Sequence, residues 1–381
     1  MKPCLFKREL KALWNDPWQL ALLTYLPIVA LVLLGWIFTS AMPRELPVAI
    51  VDLDQSQLSR QLAFELQASP TINLQTYSDL AAAKHAMQQV DMYAMVVIPQ
   101  GMRKDLLTGH SPIIDVRYNS QFLLVGKLLS SQIQQALAAG LKQVSLSSQL
   151  SRGVPKAQAE INVSPIKQQI TPLHNFNSHY QVFLMPAILV ALGQIVVMLN
   201  CLNSFARELR HNAVSQWLAQ GAFYGLWVKA LVYIPLSVLQ LAALNWALYL
   251  YLGVDISAQL PLLLLAQLFM AIAIWLVVTA VFMLLKDSAR AVSFCAAMYA
   301  PAFPFMGVTF PTHDMPFVAQ IWRLVMPSSY YIEQHLAIVS SHINLGQLLT
   351  MLSGYLPFLT LLIVIALGVT KLAQTNAKEP I

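Results

Sequence analysis

Long apolar runs flank one extended polar stretch in this chain. The first run, residues 20–40 (LALLTYLPIVALVLLGWIFTS), suits a helix across a bilayer core about 30 Å thick. The apolar pattern resumes at Tyr180, with spans expected at about 180–203, 223–252, 259–285, 290–308 and 351–372. The pattern therefore predicts a membrane α-helical protein with six transmembrane helices, five of them within residues 180–373. Ahead of the first run, residues 1–19 carry Lys2, Lys7, Arg8 and Lys11. Leu5, Phe6, Leu10, Leu13 and Trp14 fall near helical spacing there, which predicts a short amphipathic elbow helix in the membrane interface. The other reading is a plain basic anchor. A basic flank before an apolar run resembles a signal peptide, but this run is too long and no small-residue cleavage site follows.

Residues 41–179 read as aqueous protein. PVAIVDLD is a strand ending in a turn, and SQLSRQLAFELQAS a helix. INLQTYS is a second strand, followed by the helical DLAAAKHAMQQV with Asp79 near its cap. MYAMVVIP, the short helix QGMRKDLLTG and PIIDVRYNS complete the series. Strands alternating with helices predict an α/β domain with a mixed sheet, inserted between the first and second spans. A long helix over about 122–150 follows, with Leu124, Val125, Leu128, Leu129, Ile133, Ala136, Leu137 and Val144 on one side. That side packs on the domain's own sheet or against a second copy.

Charge adds orientation. The chain has 23 Lys and Arg against 17 Asp and Glu, a net +6, and only 10% charged residues beside 57% hydrophobic ones. Soluble domains carry about 25% charged residues. Short loops on one side hold Lys2, Lys7, Arg8, Lys11, Arg207, Arg210, Lys286, Arg290, Lys371 and Lys378, and those on the other only Arg323. This asymmetry predicts that both termini, including the tail 374–381, are cytoplasmic and the α/β domain is not. The excess lies beside apolar spans, without a Lys/Arg stripe interleaved with aromatics, so nucleic acid is not an expected partner.

Candidate chemistry is sparse. No G-x-x-x-x-G-K-[ST], G-x-S-x-G or H-E-x-x-H motif occurs. Cys4, Cys201 and Cys295 make no C-x-x-C pattern, and no metal site is expected. Asp52 and Asp54 read as turn and cap residues, and His174 and His179 as solvated or interfacial. Lys229 is expected to snorkel to the headgroups, and no Asp or Glu lies at mid-membrane depth. Gln194, Asn200, Asn203, Gln240, Asn245 and Gln267 lie within the spans. Each lines a substrate path or hydrogen-bonds a neighbouring helix; Gln194, Asn200, Gln240 and Asn245 are the pathway candidates. Pro301 and Pro304 interrupt the fifth span, and Pro311, Pro316 and Pro327 punctuate residues 309–335. A re-entrant segment is expected there, with an aromatic belt of Trp322, Tyr330 and Tyr331 as the alternative.

Four segments in this order, FKRELKALWNDP, PVAIVDLDQSQLSRQL, FARELRHNAVSQWL and FPTHDMPFVAQIWRLVMPSSYYIE, resemble the type-2 ABC-transporter permeases, especially bacterial exporter subunits with a large periplasmic insertion. The resemblance implies a non-enzymatic transport subunit with no cofactor of its own, while separate ABC ATPase subunits bind ATP and Mg. It implies a second copy or a paralogous permease, membrane lipids, room for a periplasmic adaptor, and the bacterial inner membrane. It makes the loop 204–221 the coupling segment that presses into the ATPase. Arg207, Glu208 and Arg210 match its charged part, and Lys7, Arg8 and Lys11 the interfacial elbow. Asn212-Ala213-Val214 departs from the family's glycine-containing stretch. The implied activity is export of a small hydrophobic or amphipathic molecule such as a drug. Export of a polysaccharide or lipid-linked glycan, and a membrane-bound ligand sensor, are the alternatives.

Overall fold

The computed structural model describes residues 5–38, 44–108, 110–164 and 180–378. The chain divides into two compact units, residues 42–172 and the segments on either side of them.

Helix α1 (Leu5–Trp14) turns Leu5, Glu9 and Leu13 inward, a stripe at four-residue spacing. Phe6, Leu10 and Trp14 are exposed. Asp16 then caps α2 (Pro17–Leu23), accepting from the N–H groups of Trp18 at 3.1 Å and Gln19 at 3.2 Å. Pro17 occupies the first turn, where its missing N–H has no consequence. The helix breaks at Thr24 before α3 (Tyr25–Ile37). Pro27 accounts for this break, since its ring opposes the Leu23 carbonyl four residues back.

In the unit of residues 42–172 the order is β1 (Leu46–Asp52), α4 (Gln57–Gln67), β2 (Ile72–Thr76), α5 (Leu80–Gln88), β3 (Ala94–Ile98), α6 (Met102–Leu107), β4 (Asp115–Tyr118), α7 (Leu123–Ser151) and α8 (Lys156–Val163). The sheet runs β2-β1-β3-β4, parallel except for the β3–β4 pair. Alternation splits its central strand between two faces. Val48 and Ile50 pack with Leu62 and Leu66 of α4 and with Leu129, Ile133 and Leu137 of α7. Ala49 and Val51 meet Ala83 and Ala86 of α5. The long helix thus covers its own sheet. Asp52 accepts from the N–H of Gln55 (2.9 Å) and the hydroxyl of Ser59 (2.6 Å), and Asp79 caps α5 through Ala82 (2.7 Å), both as expected.

The remaining helices are α9 (Tyr180–Arg210), α10 (Val214–Leu218), α11 (Ala222–Tyr251), α12 (Leu260–Leu285), α13 (Ser288–Tyr299), α14 (Ala302–Phe305), α15 (Phe317–Val325), α16 (Pro327–Ser341), α17 (Leu345–Leu352) and α18 (Leu361–Lys378). Among the described residues five helical stretches are long and apolar enough to cross a membrane: Pro17–Ile37, Gln181–Arg210, Ala222–Tyr251, Ser257–Leu285 and Leu345–Gln374. The count of six is therefore not reached. The span expected at 290–308 is the 12-residue α13 followed by the single turn α14. Pro301 stands between them and cannot donate to the helical ladder. Residues 309–335 hold α15 and the first half of α16, each starting beside a proline.

Helix α12 is the hub of this unit, 67% buried over its most apolar window, and packs against α9, α11, α13, α16 and α18. The first and last spans are only 22% and 28% buried.

Candidate functional site

Three helices bring ionised side chains together at one end of the membrane unit. α1 contributes Arg8 and Glu9. The last turns of α9 place Ser204, Arg207 and Glu208 on one face, three and four residues apart. α11 adds Lys229 and Tyr233. Lys229 Nζ has three protons to donate, and it reaches Glu9 Oε1 at 3.0 Å, Glu208 Oε1 at 2.9 Å and the Ser204 carbonyl at 3.0 Å. The second oxygen of Glu9 accepts from Arg207 at 2.8 Å, and the same guanidinium nitrogen lies 3.0 Å from Tyr233 Oη. Arg8 pairs with the second oxygen of Glu208. Each carboxylate is thus shared between two cations, and Glu9 and Lys229 are fully buried. Desolvating an ion costs several kcal/mol, so such a group holds only when its partners are complete.

This arrangement corrects the expectation for Lys229, which does not snorkel. Two carboxylates within 3.0 Å satisfy its amine more closely than a distant headgroup layer would. Glu9 escaped the sequence reading, although its position on the inward Leu5–Leu13 stripe was the available signal. Lys7 and Lys11 of the elbow are exposed, whereas Arg8 turns into the cluster.

A hydrogen-bond ladder continues from the cluster along the helices. Arg210 donates to Asn203 Oδ1 (3.0 Å), and Asn203 donates to Asp16 (2.9 Å) and Gln19 (2.8 Å). Gln19 donates to Asn200 Oδ1 (2.8 Å), Asn200 reaches Gln240 Oε1 (3.4 Å), and Gln240 donates to the Leu22 carbonyl (2.6 Å). Asn200 and Gln240 thereby tie the first three spans together. Of the other pathway candidates, Gln194 accepts from the Ser328 N–H at 2.9 Å, and Asn245 donates to the Leu241 carbonyl of its own helix at 2.9 Å. Gln194, Asn200 and Asn245 are buried within the single chain.

The loop after α9 turns on Asn212, whose φ is +49°. The N–H of Ala213 then returns to the Glu208 carbonyl at 2.9 Å. Asparagine tolerates this left-handed backbone better than other residues with a Cβ. Asn212→Gly is expected to leave thermal stability unchanged, whereas Asn212→Val is expected to cost about 1–2 kcal/mol, as read by thermal unfolding in detergent. Next, α10 inserts Trp217 against Phe205, 5.8 Å between ring centres, with Lys229 Nζ 5.4 Å from the Trp217 ring. Gly225 of α11 admits this contact, since a Cβ there would stand 2.7 Å from Trp217 Nε1. Arg207 and Glu208 face inward; Arg210 is half exposed, and His211, Asn212, Ser215, Gln216 and Gln220 are exposed.

A second buried polar group holds α16. His335 contacts Tyr249 Oη at 2.6 Å through Nε2 and Tyr331 Oη at 3.1 Å through Nδ1, and Gln267 donates to Tyr331 at 3.0 Å. His335 was not singled out from the sequence, and Gln267 joins it across helices. Tyr331 is buried and belongs to no interfacial belt, while Tyr330 packs on Tyr355, 5.4 Å between ring centres. Trp322 donates to the Met298 carbonyl at 3.1 Å. His174, His179, Lys2 and Cys4 lie outside the described residues.

No curated protein and no solved structure matches the chain. A family model described as ABC-2 family transporter protein matches residues 17–368. That range starts at the first residue of α2, takes in residues 204–221 and α16, and ends within α18. The chain therefore belongs to the ABC-2 family of transporter proteins, a family of membrane subunits of ABC transporters.

Proposed function

We propose that this chain is the permease of an ATP-driven exporter that moves a small hydrophobic or amphipathic molecule, such as a drug, out across the bacterial inner membrane. Separate ATPase subunits bind ATP and Mg and dock on the exposed side of α10. Both termini are cytoplasmic, and the α/β unit stands in the periplasm, where an adaptor can meet it. A second copy, or a paralogous permease, completes the pathway against the sparsely buried first and last spans. The broken α13–α14 pair serves as a sixth, incomplete span, and α15 with α16 as the re-entrant segment.

The observation that carries this reading is the bridge of Lys229 between Glu9 and Glu208. Through it the elbow, the coupling loop and the third span form one mechanical body. A push on α10 by the closing ATPases passes through Trp217 to Lys229, and from there to α1 and α11 together. Side chains bound this completely transmit a displacement with little internal slack.

The test is ATP hydrolysis by the cognate ATPase co-purified with the chain in lipid. Arg210→Glu alters the half-exposed cation of the loop and is expected to lower co-purification and hydrolysis roughly tenfold, the effect of losing one charge-assisted contact. Thermal stability should fall by less than in Arg207→Glu, because the new carboxylate faces Asp16 across a half-exposed contact. Arg207→Glu is expected to lower stability as well, because it places a third carboxylate beside Glu9. If no ATPase associates with the native chain, the assignment of the coupling loop fails.

A further inference from the structure

Beside the ion-pair cluster lies an open cavity of about 480 Å³, whose charged lining is Arg8, Arg207 and Arg210 against Asp16 and Glu208, with Ala12 in its wall. Its chemistry is unbalanced. Within the joined ion pairs Arg8, Arg207 and Lys229 face Glu9 and Glu208, with Arg210–Asp16 as a separate balanced pair, so one positive charge lacks a counter-ion. Two of the cations are also incompletely bonded. Arg207 is 5% exposed; its Nη1 and that of Arg8 have no hydrogen-bond partner, and both atoms are sealed behind the cavity wall rather than open to it. Guanidinium groups present paired donors that match the oxygens of a phosphate. The surplus positive charge stands at an open cavity beside half-exposed Arg210, where an anion can complete the set.

The surroundings indicate which anion. Trp14 and Trp18, on either side of the Asn15–Pro17 rim, are largely exposed, as are Phe6 and Leu10 of α1. The same elbow therefore offers an apolar flank beside a basic hollow. A soluble partner's carboxylate would use only the hollow. A phospholipid uses both, with its phosphate among the arginines and its acyl chains along the aromatic flank. Basic recesses at the cytoplasmic ends of membrane helices suit anionic headgroups.

We propose that this cavity binds the phosphate of an anionic phospholipid, which completes the cluster's charge balance and fixes the elbow to the membrane. The inference rests on the elbow lying in the membrane surface, as in the functional reading above, and needs no ATPase. The two therefore fail separately.

The experiment is thermal unfolding of the purified chain in neutral detergent, titrated with dioctanoyl phosphatidylglycerol, dioctanoyl phosphatidylcholine or inorganic phosphate. Phosphatidylglycerol should raise the Tm saturably, and the other two should not at equal concentration. Ala12→Glu supplies a carboxylate at the cavity wall without removing any ion-pair partner. It should abolish the phosphatidylglycerol shift, and Arg8→Gln should weaken the apparent affinity roughly tenfold. Lys11→Gln, on the exposed side of the elbow, should leave the shift intact. An equal shift with phosphatidylcholine overturns the headgroup assignment, and an equal shift with inorganic phosphate overturns the lipid as its source. A shift that survives Ala12→Glu, or falls as far in Lys11→Gln, reduces the effect to general surface charge and overturns the site. No shift with any of the three overturns the anion site itself.

Discussion

Lys229→Met is expected to destabilise the membrane unit by about 3–5 kcal/mol, the usual cost of removing one partner from a buried ion pair. Methionine keeps most of the stem's volume and removes the charge, so lost packing contributes little. Glu9 and Glu208 would each lose a donor while remaining buried. Glu9 would keep Arg207, and Glu208 would keep Arg8, whose side chain is 21% exposed and so partly held by water already. The double variant Lys229→Met/Glu208→Gln removes one charge of each sign and leaves the Glu9–Arg207 pair intact. It should recover a substantial part of the loss, giving a coupling of about 1–3 kcal/mol between the two sites. Denaturant or thermal unfolding in a fixed detergent measures all three proteins. A loss below about 1 kcal/mol in the single variant would mean that the amine does not hold these carboxylates.

Gly225→Val is expected to separate ATP hydrolysis from transport while leaving most of the fold in place. A Cβ at this position would stand 2.7 Å from Trp217 Nε1 and 2.9 Å from its carbonyl oxygen. The ring can swing aside, but the carbonyl belongs to the backbone of α10, so the helix itself must move. Overpacking of this kind typically costs 1–3 kcal/mol. The displacement falls on the element proposed to meet the ATPase, and it pulls Trp217 from Lys229. Co-purified ATPase should therefore remain bound but lose its response to substrate, with vesicle transport reduced roughly tenfold or more. Transport at the native rate in this variant would show that α10 does not transmit the stroke.

Much of the fold could be read from the sequence because it rests on periodicity. Apolar runs long enough to span announce themselves, and so does strand–helix alternation in the unit of residues 42–172. Two features resisted for physical reasons. The stretch 290–308 is apolar enough to span, but Pro301 divides it, and hydropathy averages over a break that the backbone cannot. Residues 17–19 belong to the first helical span rather than to the elbow, since Asp16 starts a helix there with its own side chain. At the site, sequence reasoning reached Arg207, Glu208 and Arg210 through their resemblance to a coupling loop. It expected Lys229 to snorkel to the headgroups because the carboxylates it meets are 220 and 21 residues away along the chain. Long-range pairing leaves no local pattern. Only a glutamate set among inward leucines on α1 hinted at it.

The separation of Glu9 from Lys229 also sets an order of assembly during biosynthesis. At about 5–20 residues per second, a ribosome needs about 10–40 s to travel the 220 residues between them. Arg207 emerges first and can receive one oxygen of Glu9, but the other oxygen has no ammonium until the third span is made. Complete docking of the N-terminus thus reports that the third span has arrived. A nascent chain arrested between residues 207 and 229 would hold α1 through Arg207 alone, with Glu208 and one oxygen of Glu9 still lacking the ammonium.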